Sequence, residues 1–473
     1  MKAGASQIND RAEFSSGLFD GKSRNGSSVL IWEGAYSNIF IILTGGAFLT
    51  GMALFLGAND FEIGVLAAAP FLMQSAQLIS PFLFKDIDAS RKNIVLTLGI
   101  SRLLWLAVVP LMFLTGLWRL PILIGIVVLS GLLTMVTAPA WLSIMADLVS
   151  QKMRGRFFSR RNAYVAATTV VATVLASLIL DWSRSRNLEA FGFTIIVFFA
   201  VIGALLAWRA MKNIPANSSL REKSVAPMPY FLAPLRDQRF RKVLIVFAVW
   251  NMAVGLSAAF FAPHMLINLK MSFFQIGLYS CAAALIAVAS SSLWGRYIDR
   301  FGSKTILNIC AFGISLIPLI WLLPHENSIW ILIPEVAYSR LLWAGFNVAA
   351  FTLPLDKSPR IDRTVYLSVF AAITGLAFFA ASILAGLAAE AFTGWTHAIG
   401  SYTFVNYHLL FVGSAILRFL TAVLIASYHE PAEMRLPAVI QLMGYAVLKR
   451  MSIGRQIFPF TAYADEPDKN NEI

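Results

Sequence analysis

The sequence predicts an all-α integral membrane protein, with twelve transmembrane helices in two pseudo-symmetric six-helix bundles. Three observations carry that expectation. Only 13% of the 473 residues are charged and 58% are hydrophobic, whereas a soluble chain carries roughly a quarter charged residues. Apolar runs of the length that crosses a bilayer, about 20 residues at ~1.5 Å each, recur along the chain. The two halves also repeat one another at a fixed offset.

The elements follow in order. Residues 1–33 are polar and contain no apolar stretch with a small-residue cleavage site, so they are expected to form an N-terminal tail and not a removable signal. Spans are expected at 34–58, 62–84, 94–117, 120–146, 163–181 and 190–210, which make an N-terminal bundle over 34–210. A central loop, 211–242, follows. A C-terminal bundle over 243–427 then comprises spans at 243–266, 275–295, 305–323, 328–352, 365–389 and 405–427. In the tail 428–473, residues 438–460 suit an interfacial helix and a loose tail equally.

Lys and Arg set the orientation, because cytoplasmic loops retain them. With both termini inside, the outer loops hold only Arg119, Arg184, Arg186 and Lys270 of the 38 basic residues. Arg102, Arg340 and Arg418 fall within spans, Arg209 lies at the inner end of span six, and the other 30 lie in the tails and the five inner loops. The expected location is therefore a cell membrane, the bacterial inner membrane, with both termini cytoplasmic. The same bias accounts for the net charge of +13 as a topological signal, so nucleic acid is not an expected partner. Cys281 and Cys310 lie in apolar runs and suggest no disulfide framework, and the five histidines lack metal-ligand spacing.

An offset of 213 aligns the start of each half. Asn38 meets Asn251, Phe61 meets Phe274, Gly64 meets Gly277, Asp86 meets Asp299, and Arg91 meets Lys304. Glu62 stands opposite Gln275. The register drifts beyond this stretch, where loop lengths differ. Duplicated halves suit proteins that bind a solute at the repeat interface and rock one half against the other.

The inner loops carry the most specific pattern. After span eight, Gly295, Asp299, Arg300, Gly302, Ser303 and Lys304 spell G-x-x-x-D-R-x-G-S-K. After span two, Asp86, Ser90 and Arg91 form a degraded copy without the glycines, and after span four Asp147 precedes Arg154-Gly155-Arg156. These loops resemble the signatures of the major facilitator superfamily, in a prokaryotic branch with no assigned substrate. The resemblance runs from about residue 34 to 430. It implies a secondary transporter working by alternating access, a monomer, and inner-face contacts that tie the halves together. In that reading Asp86 with Arg91, Asp299 with Arg300 and Lys304, and Asp147 with Arg154 and Arg156 form the gate. The alternative is that these charges only mark topology.

Ionisable groups within spans are costly and default to functional candidates. Counted inward from Ser328, Glu335 lies about 10 Å and Arg340 about 18 Å deep. Arg340, Trp343 and Asn347 are spaced i, i+3 and i+7 and share one helix face. The resemblance makes span ten a cavity helix. Arg340 is expected to hold an anionic or polar part of the substrate, since its planar fork suits a carboxylate or phosphate, with Trp343 and Asn347 beside it. Glu335 is expected to couple protons, because desolvation penalises a buried carboxyl's charged form. Glu335 and Arg340, five residues apart, are expected to point different ways. Structural roles remain open for both. Asn38 and Asn251 are further substrate-binding candidates. A stripe of Ser130, Thr134, Thr137 and Trp141 on span four is weaker, and Gln74 and Gln77 suit helix bridging equally well. Arg102 and Arg418 are expected to brace or snorkel.

No nucleophile–base set, metal spacing or Walker loop appears, so neither an enzyme nor a cofactor is expected. The expected partners are a small-molecule substrate and the lipid bilayer. A flippase or exporter of lipid or amphiphile on the same scaffold remains the alternative.

Overall fold

In the computed structural model, twelve helices are long and apolar enough to cross a membrane. The structure describes residues 21–84, 87–148, 154–212, 232–326, 328–359, 363–399 and 402–427. The N-terminal bundle comprises α1 (Ser28–Phe55), α2 (Asp60–Ile79), α3 (Lys92–Leu111), α4 (Arg119–Trp141), α5 (Arg160–Ser185) and α6 (Glu189–Lys212). The C-terminal bundle comprises α7 (Gln238–Asn268), α8 (Phe273–Ile298), α9 (Ser303–Ile320), α10 (Ile329–Lys357), α11 (Val365–Ala391) and α12 (Asn406–Ser427). The face where α1 begins and α12 ends is called proximal here. The opposite, distal face carries the α1–α2, α5–α6, α7–α8 and α11–α12 connections.

Two helix starts show how far the repeat goes. Asn59 caps α2 by accepting the Glu62 amide, and Glu62 returns to the Asn59 amide. Ser272 and Gln275 form the same capping box at α8. Each box satisfies two backbone donors that a helix start leaves open. The sequence alignment of Glu62 with Gln275 is thus an alignment of caps.

Three features depart from the expected outline. Helix α1 starts earlier than residue 34 and breaks after Leu43, where Gly46 takes a φ of +52° that only glycine adopts without strain. Helix α7 ends in a π-helical turn, His264–Asn268. A small hairpin, β1 (Thr396–Ile399) with β2 (Tyr402–Val405), joins α11 to α12. Four-residue strands at a loop give too little alternation to be read from sequence.

The earlier start of α1 places Glu33 inside the bundle, 3% exposed. Arg102 of α3 and Arg161 of α5 approach its carboxylate at 3.9 and 3.6 Å. Ser37 donates to Glu33 at 2.7 Å and accepts from Arg102, which also donates to the Ala204 carbonyl of α6. Arg102 therefore braces α3 against α1 and α6, and Arg161 brings α5 to the same carboxylate. Arg418 is 1% exposed and donates to Ser257, so it ties α12 to α7. No carboxylate among the described residues lies within ion-pair distance of Arg418.

Candidate substrate cavity and distal closure

A cavity of about 610 Å³ lies between the bundles, lined by α1, α2, α4 and Trp105 of α3 on one side and α7, α8, α9 and α10 on the other. Glu335, Arg340 and Trp343 all line it. Glu335 is 2% exposed and accepts a 2.7 Å hydrogen bond from the Tyr279 phenol of α8. Its second oxygen, Oε1, is buried without a hydrogen-bond partner, and so is Nε of Arg340. Tyr279 interacts electrostatically with both residues, and Glu335 with Arg340. The expected divergence of Glu335 and Arg340 is therefore only partial. No ion pair joins them, yet both face one cavity, because Tyr279 from the neighbouring helix bridges the angle between them. Trp343 packs edge-on against Trp250 and Phe346.

The remaining candidates sit elsewhere. Asn347 is exposed and does not line the cavity. Asn38 donates its amide to the Val165 carbonyl and to the Thr168 and Thr169 hydroxyls, which binds α1 to α5. Asn251 donates to the Phe247 carbonyl one turn back in its own helix. Neither asparagine lines the cavity. Ser130 and Thr134 do line it, whereas Thr137 is fully buried and bonds backbone carbonyls. Gln77 meets Met135 of α4.

Of the proximal gate candidates, Asp86 lies outside the described residues, as do the side chains of Arg91, Asp147, Arg154, Arg156 and Asp299. Arg300 is exposed with its guanidinium 5.3 Å from the Phe301 ring, and Lys304 is buried.

Sequence reasoning missed a second assembly, at the distal face. Asp181, at the end of α5, accepts the backbone amides of Phe273 and Phe274 at the start of α8, both at 2.8 Å. Glu390, at the end of α11, accepts the amide of Asp60 at the start of α2. Asp60 in turn receives the Tyr407 phenol and, at 3.0 Å, the Asn406 amide from α12. A carboxylate at a helix N-terminus meets unsatisfied N–H groups and the positive end of the helix dipole. Beneath these contacts, a Cβ on Gly64 would lie 2.9 Å from the Ser382 carbonyl, and one on Gly386 would lie 3.1 Å from the Phe61 backbone. The helices α2 and α11 therefore touch backbone to backbone. Farther in, Phe71 stacks on Phe378 at 3.5 Å between centroids. The bundles are thus joined from the distal ends of their helices toward the middle.

The sequence profile described as Major Facilitator Superfamily matches residues 35–382. The chain belongs to that superfamily, and it is a multi-pass membrane transport protein. No curated protein matches its sequence. Among solved structures, it resembles a D-xylose–proton symporter, at 13% identity and a TM-score of 0.66 over 86% of this chain and 98% of the other. The nucleoside transporter NupG is similar at 11% identity and a TM-score of 0.62, over 86% of this chain and all of the other. A bacterial homologue of the iron transporter ferroportin in its inward-facing state matches at 15% identity and 0.64, over 86% of this chain and 98% of the other. The outward-facing state of that homologue matches at 0.52.

Proposed function

We propose that this transporter is a secondary carrier of a small polar solute, working by alternating access, with the solute at Arg340 and Trp343 and proton coupling at Glu335. The observation that carries the reading is the interbundle cavity holding Glu335 and Arg340, each with a buried polar atom that has no hydrogen-bond partner. An intramembrane carboxyl beside a cavity is suited to exchange a proton during the cycle. A cavity of this size falls in the ~300–1,000 Å³ range of small-molecule sites, which favours a solute over a whole phospholipid. With both termini cytoplasmic in a bacterial inner membrane, the distal face is external, and the structure is an inward-facing state. The closer match to the inward-facing ferroportin homologue supports that assignment. The proximal loops with Asp86, Asp147 and Asp299 then form the gate for the opposite state.

The test is uptake into proteoliposomes under an imposed pH gradient, with Glu335→Gln alongside. Gradient-driven accumulation that becomes gradient-independent exchange in the variant is expected. Accumulation that ignores the gradient, or survives unchanged in Glu335→Gln, removes Glu335 from the coupling role.

A further inference from the structure

Resting on the carrier reading above, we infer that the solute is amphipathic, with a hydrogen-bond donor beside an acceptor on one edge of a flat, largely apolar body. The donor is taken by Oε1 of Glu335 and the acceptor by Nε of Arg340.

The argument begins with the two atoms lacking partners. Glu335 is almost wholly buried; Oε2 takes the Tyr279 phenol, Trp321 and Ser339 interact with the same carboxyl, and Oε1 itself makes no hydrogen bond. Leaving a buried polar atom unpaired costs about 1–3 kcal/mol, and more where it is charged. Arginine carries five N–H donors, accepts nothing and does not deprotonate in proteins, so its buried Nε calls for an acceptor. A simple anion would gain from Arg340 and be repelled by Glu335, and a simple cation would meet the reverse. A ligand edge carrying both functions satisfies both atoms.

The rest of the wall sets the body of the ligand. Trp105, Trp321, Trp343 and Phe261 supply flat apolar surface, with Met73 and Met135 nearby. Three of the wall's hydroxyls donate to their own helices, and a fourth accepts from a neighbouring one. Thr44 donates to the Phe40 carbonyl, Thr50 to Gly46 and Thr134 to Ser130, while Ser130 accepts the Trp105 indole N–H. A polyol with hydroxyls on every side would set many of them against the aromatic and aliphatic side chains that make up most of the wall. Aromatic stacking against an edge-on polar pair suits a cyclic amide on a planar ring, or an aromatic amino acid with its ammonium beside its carboxylate.

One consequence concerns coupling. A proton on Oε1 and the ligand's donor exclude each other at that atom. Solute binding passes the proton from Oε1 to water in the cavity and leaves the carboxylate to accept the ligand's donor, so the coupled step is an exchange.

The experiment is thermal unfolding of the purified full-length protein in detergent with five probes. Uridine supplies a cyclic amide edge, and tryptophan supplies ammonium beside carboxylate. Benzoate offers an acceptor only, tryptamine a donor only, and xylose a polyol. A ligand that binds only the folded protein raises its apparent stability. Stabilisation by uridine or tryptophan and by none of the other three is expected, and which of the two acts identifies the source of the edge. Arg340→Lys, which keeps the charge but not Nε, and Glu335→Gln should each weaken that effect about tenfold or more. Stabilisation by benzoate, tryptamine or xylose, or by no probe, overturns the inference, as does full retention in both variants. Uptake of the same probes into proteoliposomes separates the two readings. A stabilising probe that is not taken up upholds the ligand class and removes carriage. Uptake of xylose or benzoate alone keeps carriage and removes the ligand class.

Discussion

Asp181 and Glu390 do the same work from opposite bundles: each carboxylate, at the distal end of its helix, accepts a backbone amide at the start of a helix in the other half. The helices that receive them, α2 and α8, are related by the offset of 213, so that Asp60 and Phe273 are equivalent donors. The helices that supply them are related by an offset of 209, which pairs Thr173 with Ser382, Ser177 with Gly386 and Asp181 with Glu390. The packing obeys both registers. Gly64 abuts Ser382 and Gly386, while Gly277 abuts Ser177 and Thr173. Distal closure is a two-fold symmetric joint, made twice from corresponding residues.

Asp181→Asn is expected to loosen that joint without unfolding either bundle. A carboxylate at a helix start contributes ~0.3–1 kcal/mol, and up to ~2 when partly buried. A loss of ~1.4 kcal/mol shifts the open-to-closed ratio about tenfold. Spin labels at Leu188→Cys and Lys270→Cys, which flank the joint on the two bundles, should report a larger distal separation in Asp181→Asn. The double variant with Glu390→Gln should open further. An unchanged distance distribution would show the carboxylates to be bystanders.

Gly64→Val places three carbons where α2 and α11 touch backbone to backbone. The added Cβ meets a carbonyl oxygen and not a yielding side chain, so the helices must part. The same spin-label pair should report the distally open form, and initial uptake rates should fall at least severalfold while the protein remains in the membrane at normal abundance. Gly125, whose added Cβ would meet nothing within 4 Å, is the control: Gly125→Ala should leave both readouts unchanged.

Glu33→Gln should lower stability more than Arg161→Gln does. Glu33 receives two arginines and a serine, whereas Arg161 is partly exposed and can turn to water. Removing one partner from a buried ionic cluster costs about 3–5 kcal/mol. Thermal unfolding in detergent is the measurement, and equal midpoints for the two variants would contradict the geometry.

Asn38→Ala tests the roles assigned to the paired asparagines. The amide makes three interhelical contacts, and a net hydrogen bond is worth about 0.5–1.5 kcal/mol. A fall in unfolding midpoint with ligand affinity intact is expected. Loss of affinity at unchanged stability would restore Asn38 to the cavity.

The spans and the two-bundle architecture could be read from the sequence because bilayer thickness fixes span length and duplication fixes the architecture. The cavity residues on α10 were legible for a related reason: Glu335 and Arg340 are expensive inside a membrane and stand out. Asp181 and Glu390 did not stand out, because an acid at a helix end looks the same whether it meets water or another helix's amides. Glu33 was hidden by an error of a few residues in where α1 begins. Asn38 and Asn251 sit outside the cavity lining, and equivalence under a repeat marks ancestry as readily as a shared task. Tyr279, which bridges Glu335 and Arg340, came from a helix whose rotation no single-sequence pattern fixes.

The cluster around Glu33 also bears on how the chain is made. Helices leave the ribosome in order, and α1 reaches the bilayer carrying a carboxylate whose arginines are still unsynthesised. Until α3 and α5 follow, Glu33 has only Ser37 of its own helix for company, and a lone acid within a nascent span is costly. Chain growth through α3 delivers Arg102, and growth into α5 delivers Arg161, so each arrival fixes α1 more firmly. A polypeptide halted before Arg102 would hold α1 poorly and stand exposed to quality-control proteases. One halted after α6 would already have its anchor, and with it a finished half of the molecule.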